Sequence, residues 1–270
     1  MTFNTNEHGE LISFKNQNGR ELIHQANSIW NWYSPIIFPI LGKAKNDQII
    51  CKGKRYSIKQ HGIARHCKAD TLINFNNHKL FEICSTPHTK TIYPYDFRLL
   101  IEYYLEKNTL HILYTVINSD TEEMYFNIGA HPGFNLEKNC NLKDYLLIFP
   151  EKEDSIVFSR DVSNLGIFDG NHLLLSDNII NDSSLFMTNL KSRYIILKNL
   201  KTESDIKINF NADTVGIWNR FDEQHPFICI EPWQTFANSK FEGELSKKPG
   251  IHQLYPKESY TFYYSIEIKN

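Results

Sequence analysis

From Phe97 to Val116 the chain alternates apolar and polar residues with a period of two, and that rhythm restricts the segment to a half-buried β-hairpin. Phe97, Leu99, Ile101, Tyr103 and Leu105 fall on one face, with Arg98, Glu102 and Glu106 on the other. Only a pleated strand sends successive side chains to opposite sides. Lys107-Asn108 supplies a turn, and Leu110, Ile112, Tyr114 and Val116 resume the alternation, so the two runs pair antiparallel.

Shorter pairs are expected at Ile49–Cys51 with Tyr56–Ile58 about Gly53-Lys54, and at Leu72–Phe75 with Leu80–Ile83 about Asn76-Asn77. Further strands are read at Tyr145–Phe149, Tyr194–Leu197, Ile206–Phe210, Gly216–Trp218, Phe227–Ile230 and Tyr260–Ile268. Ser28–Tyr33 and Asp177–Asn181 are the stretches open to helical turns, and neither sustains a helical period. Many short antiparallel strands without βαβ alternation predict an all-β sandwich of large packed sheets. No linker, low-complexity tract or charge block interrupts the 270 residues, so residues 1–270 are expected to form a single domain.

Charge narrows the partners. Lys and Arg total 29 against 31 Asp and Glu, a net charge of −2 that provides no basic footprint for nucleic acid or an anionic membrane. Small molecules are therefore the expected partners. The five cysteines, Cys51, Cys67, Cys84, Cys140 and Cys229, are odd in number and lack a C-x-x-C pair, which reads as free thiols in a reducing cytoplasm. The amino-terminal MTFNTNEHGE is polar, and no apolar run approaches about 18 residues, so a cytoplasmic protein without a membrane-spanning segment is expected.

Several cofactor chemistries lack their sequence signs. There is no G-x-x-x-x-G-K-[ST], G-x-G-x-x-G or G-x-S-x-G, and glycine is scarce at 12 residues. His61 and His66 share a segment with Arg65 and Lys68, whose charges oppose a cation. Neither a metal nor another cofactor is expected.

What remains is a set of polar residues in apolar company. His131 lies in Gly129-Ala130-His131-Pro132-Gly133-Phe134-Asn135, where Pro132 holds it extended. Glu231 lies in Ile228-Cys229-Ile230-Glu231-Pro232-Trp233-Gln234. An imidazole and a carboxylate in apolar strands are costly to bury without partners, which suggests a shared cleft. Against that stand a satisfied core histidine and a buried salt bridge from Glu231 to Arg65 or Arg220. His61-Gly62-Ile63-Ala64-Arg65 adds a loop whose glycine lets the backbone pass close to a ligand. Trp218 and Trp233 are core aromatics by default, or flat faces for a sugar ring.

These segments in this order resemble the aldose 1-epimerase (galactose mutarotase-like) family, most closely its LacX-like branch. The likeness runs from Gly9–Asn16 through Ser34–Gly42, His61–Arg65, Tyr93–Phe97, Gly129–Asn135, Gly216–Trp218 and Phe227–Trp233 to Lys248–Ile251 and Tyr264–Ile266. It implies a galactose mutarotase-like β-supersandwich with the site on a concave sheet, and an aldohexose or its phosphate as partner. By the resemblance, His131 and Glu231 carry the proton transfers. His61 contacts the sugar with Arg65 beside it, and Asp182 corresponds to a sugar-binding aspartate. Lys43 stands where the branch usually has arginine; it keeps the charge but loses the bidentate fork. Trp218 is a candidate sugar platform, no metal or cofactor is implied, and a monomer or homodimer is expected.

Mutarotation needs a base at the anomeric hydroxyl and an acid at the ring oxygen. Reference pKa values of about 4.3 for glutamate and about 6.5 for histidine supply both charges at neutrality without large shifts. Three other readings stay open: a non-catalytic sugar-binding or sensory protein; a sugar-phosphate epimerase in which Lys43, Lys45 or Arg65 meets the phosphate; and a glycoside hydrolase, which usually needs two carboxylates.

Overall fold

A computed structural model describes residues 1–154, 157–158, 168–176, 184–202, 204–220, 222 and 224–269. Two large antiparallel sheets carry most strands of the described chain, beside three two-stranded ones. One runs in the order His172–Leu174, Tyr145–Ile148, Tyr194–Asn199, Asp205–Phe210, Ser259–Lys269, Thr109–Asn118, Phe97–Glu106, His78–Cys84 and Asp70–Asn74. The other runs through Val157–Phe158, Ser184–Thr188, Thr214–Trp218 and Phe227–Trp233 to a broken strand, Gly129–Ala130 and Gly133–Asn135, with Ile36–Ile37 at its edge.

The founding hairpin forms as its alternation demands. Phe97 pairs with Asn118 and Glu106 with Thr109, in unbroken register. Phe97, Leu99, Ile101 and Tyr103 are buried from one strand, and Leu110, Ile112, Tyr114 and Val116 from the other. Each such large side chain contributes roughly 1.5–3 kcal/mol through burial. The core tyrosines keep their hydroxyls satisfied: Tyr103 donates to the Gly9 carbonyl at 2.7 Å, and Tyr114 and Tyr264 share a hydrogen bond at 3.3 Å. Phe262, Tyr264 and Ile266 join the same core as Leu185, Val215, Ile217, Ile228 and Ile230 of the second sheet.

Three local expectations are corrected. The turn between Gln48–Cys51 and Lys54–Ser57 centres on Lys52-Gly53, one residue earlier than Gly53-Lys54, because those two residues both take positive φ, at 53° and 73°. Ser28–Tyr33 forms no helical turn. The short α-helix found is Pro87–Lys90, started by a Thr86–Thr89 capping box and a proline in its first turn. Finally, the strand at Phe227 continues through Pro232 to Trp233 rather than stopping at Ile230. Proline has no N–H for the ladder, but Pro232 lies beside the place where the neighbouring strand breaks at His131-Pro132. Asp177–Asn181 lies outside the described residues.

Candidate active site

The register of the second sheet brings the two titratable residues together. Gly129 faces Trp233 and Gly133 faces Cys229, so midway between these antiparallel partners His131 stands across from Glu231. Side chains opposite one another in such a pair project from the same face. The His131 Nε2 and Glu231 Oε2 atoms are 3.2 Å apart. Between them Pro132 interrupts the strand, yet its carbonyl still accepts from the Ile230 N–H at 3.3 Å. On the other side Gly216 faces Glu231, and a Cβ at Gly216 would lie 3.2 Å from the Phe186 ring.

The glycines flanking His131 admit its aromatic walls. A Cβ at Gly129 would lie 2.8 Å from Trp233, and one at Gly133 would lie 2.6 Å from Trp30. The Trp30 ring stacks on His131 at 5.2 Å between centroids, and Trp218 meets the same imidazole edge-on at 5.9 Å. His61 completes the surround, its ring 5.4 Å from His131 and 5.9 Å from Trp233. Gly62 is what allows His61 there. Gly62 has φ of +78°, and a Cβ at this position would fall 2.2 Å from the Phe38 carbonyl oxygen. That close approach lets the Ile63 N–H donate to the Phe38 carbonyl at 2.8 Å, while the His61 N–H donates to Gly42 at 2.8 Å. The Gly42 N–H in turn donates to His61 Nδ1 at 3.3 Å, and the Gln60 side-chain amide nitrogen lies 3.3 Å from Nε2.

Arg65 sits on the following turn. One Nη donates to the Gln60 carbonyl at 2.7 Å, and the guanidinium lies over Trp32 at 4.7 Å. No carboxylate among the described residues pairs with it within ion-pair distance, and its Nε is buried without a partner. Lys43 lies at the rim, exposed and 3.5 Å from Asp47. All these residues line one open cleft of about 880 Å³, together with Trp30, Trp32, Gln60, Phe186, Arg220 and Lys240. That volume suits a small ligand. A separate hollow beside Ile40, Ile49 and Leu245 holds only about 30 Å³.

Burial sets the charges of the central pair. His131 is 8% exposed and Glu231 3%. Desolvation pushes the Glu231 carboxyl well above the ordinary range, while the nearby Trp233 side chain opposes that rise. Desolvation, reinforced by the positive charge of Arg65, pulls the His131 imidazole down. Both shifts disfavour the charged forms, so the free pair holds one proton in a neutral arrangement. This differs from the expectation of two near-normal groups already charged. Burial also lowers His61 well below the ordinary histidine range, helped by the neighbouring His131 imidazole and the positive charge of Arg65. Arg65 itself is lowered to about 10 by burial.

The structure therefore gathers His61, Arg65, His131, Trp218 and Glu231 tightly, with Lys43 at the margin, while Asp182 lies outside the described residues. The salt bridge from Glu231 to Arg65 or Arg220 does not form; Arg220 instead donates to the Ile29 carbonyl at 3.4 Å. Trp30, Trp32, Gln60 and Phe186 were not singled out from sequence. Trp30 and Trp32 belong to Ser28–Tyr33, whose composition signals neither strand nor cleft. In the sequence Cys229 carries no sign of a site role beyond that of a free thiol. Its Sγ, one donor atom of His131 and one of Glu231 all lie within 4.8 Å of one another, the arrangement among the described residues that can hold a metal ion.

Known proteins resemble this chain in sequence and in fold. Protein LacX (plasmid) of Lactococcus lactis subsp. lactis is 29% identical over 284 residues, covering 97% of this chain and 94% of that protein. The solved galactose mutarotase related enzyme from Lactobacillus acidophilus superposes with a TM-score of 0.90 at 28% identity, over 99% of this chain and 94% of the other. A galactose mutarotase-like protein from Lactobacillus casei gives 0.91 at 24% identity, over 99% and 97% of the two chains. The galactose mutarotase-like fold expected from the sequence is thus the fold found. The sequence profile described as aldose 1-epimerase matches residues 7–266, taking in both segments that meet at His131 and Glu231, and the chain belongs to the aldose 1-epimerase family.

Proposed function

We propose that this protein is a cofactor-independent aldose 1-epimerase that interconverts the α and β anomers of an aldohexose, using His131 and Glu231 as its acid–base pair. The observation that carries this reading is the 3.2 Å contact between the two side chains at the wall of an open cleft. Glu231 takes the proton from the anomeric hydroxyl while His131 gives one to the ring oxygen. The ring opens, the aldehyde turns, and closure on its other face reverses both transfers. One proton held between the two groups therefore serves the complete cycle. The reactive arrangement has that proton on His131 Nε2. Sugar hydroxyls that displace the direct contact supply hydrogen bonds to the charged forms and offset the burial that disfavours them.

The other site residues take supporting roles. His61 and Arg65 bind sugar hydroxyls, Trp218 and Trp30 offer apolar faces, and Lys43 and Asp182 remain candidate contacts at the margin. Residues 1–270 are read as one domain acting in the cytoplasm, as a monomer or homodimer.

A second reading, a hexose 6-phosphate epimerase, is favoured by the lining charges. Lys43, Arg65, Arg220 and Lys240 face the cleft, and Glu231 is the one carboxylate among its described lining residues. The same composition disfavours a glycoside hydrolase, which usually requires two flanking carboxylates. Polarimetry of freshly dissolved α-glucose, α-galactose and glucose 6-phosphate tests these readings together. Acceleration of all three only to the buffer rate, with sugar binding retained, would leave a non-catalytic sugar-binding protein.

A further inference from the structure

Cys229 gives the pair a property that sugar chemistry does not use. It lies two residues before Glu231 on the same strand, so both side chains project from one face of the sheet. Across the register break, His131 joins them, and donor atoms of all three lie within 4.8 Å of one another. We propose that His131 Nε2, Cys229 Sγ and Glu231 Oε2 form a three-ligand site for a soft divalent cation of the Zn²⁺ type, whose occupancy disables the acid–base pair.

The geometry and the donor set both point this way. A tetrahedral zinc centre has metal–sulfur bonds of about 2.3 Å and metal–nitrogen or metal–oxygen bonds of about 2.0–2.2 Å, which puts its donors about 3.3–3.6 Å apart. The imidazole and carboxylate already stand at 3.2 Å. Closing the cysteine corner takes at most about an ångström of side-chain motion. Thiolate, imidazole and one carboxylate suit Zn²⁺, Co²⁺ or Cd²⁺ and leave Mg²⁺ and Ca²⁺, which need several oxygens, poorly served. His131 and Glu231 line the cleft, so the fourth position opens toward solvent and takes water or a sugar hydroxyl.

Electrostatics allows it as well. Burial pushes the Cys229 thiol and the Glu231 carboxyl up, so the cation has to displace their protons; once it does, thiolate and carboxylate bring two negative charges against the repulsion of Arg65 beside His131. Binding releases the thiol proton and the proton held by the His131–Glu231 pair to solvent. With Nε2 and Oε2 both engaged by metal, neither can exchange a proton with sugar.

The test uses the intact protein and the metal alone. Co²⁺ titrated into wild type should bind once per chain and produce a thiolate-to-cobalt charge-transfer band in the near ultraviolet. Cys229→Ala should abolish the band and weaken Co²⁺ and Zn²⁺ binding by at least about 10- to 100-fold. The same variant should keep the wild-type mutarotation rate without metal while losing sensitivity to Zn²⁺. Cys229→Ser serves as a second variant if the alanine protein folds poorly, with circular dichroism as the check. Absence of binding, binding without the thiolate band, or equal Zn²⁺ affinity in the Cys229 variants would overturn the proposal. The spectroscopic arm stands whether or not the protein proves to be a mutarotase, so failure of the two readings can be told apart.

Discussion

Replacing Glu231 by glutamine separates a catalytic carboxylate from a structural one. Were Glu231 half of a buried ion pair that holds the fold, its loss would cost about 3–5 kcal/mol, because the partner charge would be left unpaired. The structure argues otherwise. His131 is held neutral by its burial, so no stranded charge remains when the carboxylate becomes an amide of the same shape. The folded-state pKa of Glu231 is raised, so its contribution to stability is fully present below the unfolded value near 4.3 and is lost as pH rises toward the folded value. Glutamine does not titrate. The variant should therefore gain on wild type by up to about 1.4 kcal/mol for each pH unit above about 4.3, until Glu231 ionises in the folded protein. Activity should move the opposite way, falling by about 10²–10⁴-fold, and His131→Asn should fall similarly. Urea unfolding at pH 5 and pH 8, beside polarimetry of α-glucose and α-galactose, reads both quantities. A loss of several kcal/mol at pH 8, or a near-normal rate in Glu231→Gln, would refute the reasoning.

Gly62→Ala should destabilise the protein by about 2–4 kcal/mol, since the new methyl meets the Phe38 carbonyl at 2.2 Å and the backbone sits at positive φ; a urea midpoint close to wild type would contradict this. Arg65→Lys should raise KM by about 10-fold with less effect on kcat, because lysine keeps the charge but loses the planar contact over Trp32; steady-state polarimetry distinguishes the two parameters. Lowering of His131 and raising of Glu231 should keep one proton on the pair across a broad range, giving a kcat/KM profile with no inflection at the ordinary histidine value of about 6.5. The rate should drop on the acid side when His131 gains a second proton for the pair, and on the alkaline side when the shared proton leaves. An inflection near pH 6.5 would show an ordinary histidine instead.

Much of the sheet architecture was legible because burial of one strand face imposes a period of two on the residues themselves. Phe97–Glu106 and Thr109–Asn118 pair as their alternation requires; a strand opens at Tyr194 as expected, and those expected from Ile206 and Tyr260 open one residue earlier, at Asp205 and Ser259. The turn at Lys52-Gly53 was misread by one residue, since a glycine marks positive φ without fixing which neighbour shares it. Ser28–Tyr33 was misread more fully. It is open to a helical turn in sequence without sustaining a helical period, and only the packing of Trp30 on His131 and Phe227 shows what that tryptophan does.

The residues by themselves determined an all-β chain and singled out His131 and Glu231, because an ionisable group in an apolar strand is conspicuous at the level of single positions. Tertiary structure decided that the two face each other at 3.2 Å, that Arg65 turns to Trp32 and a backbone carbonyl rather than to Glu231, and that Cys229 joins the pair. It also decided the direction of both pKa shifts. Register between strands a hundred residues apart, and the desolvation that follows from it, depend on every layer packed around them; no local stretch of sequence contains that sum.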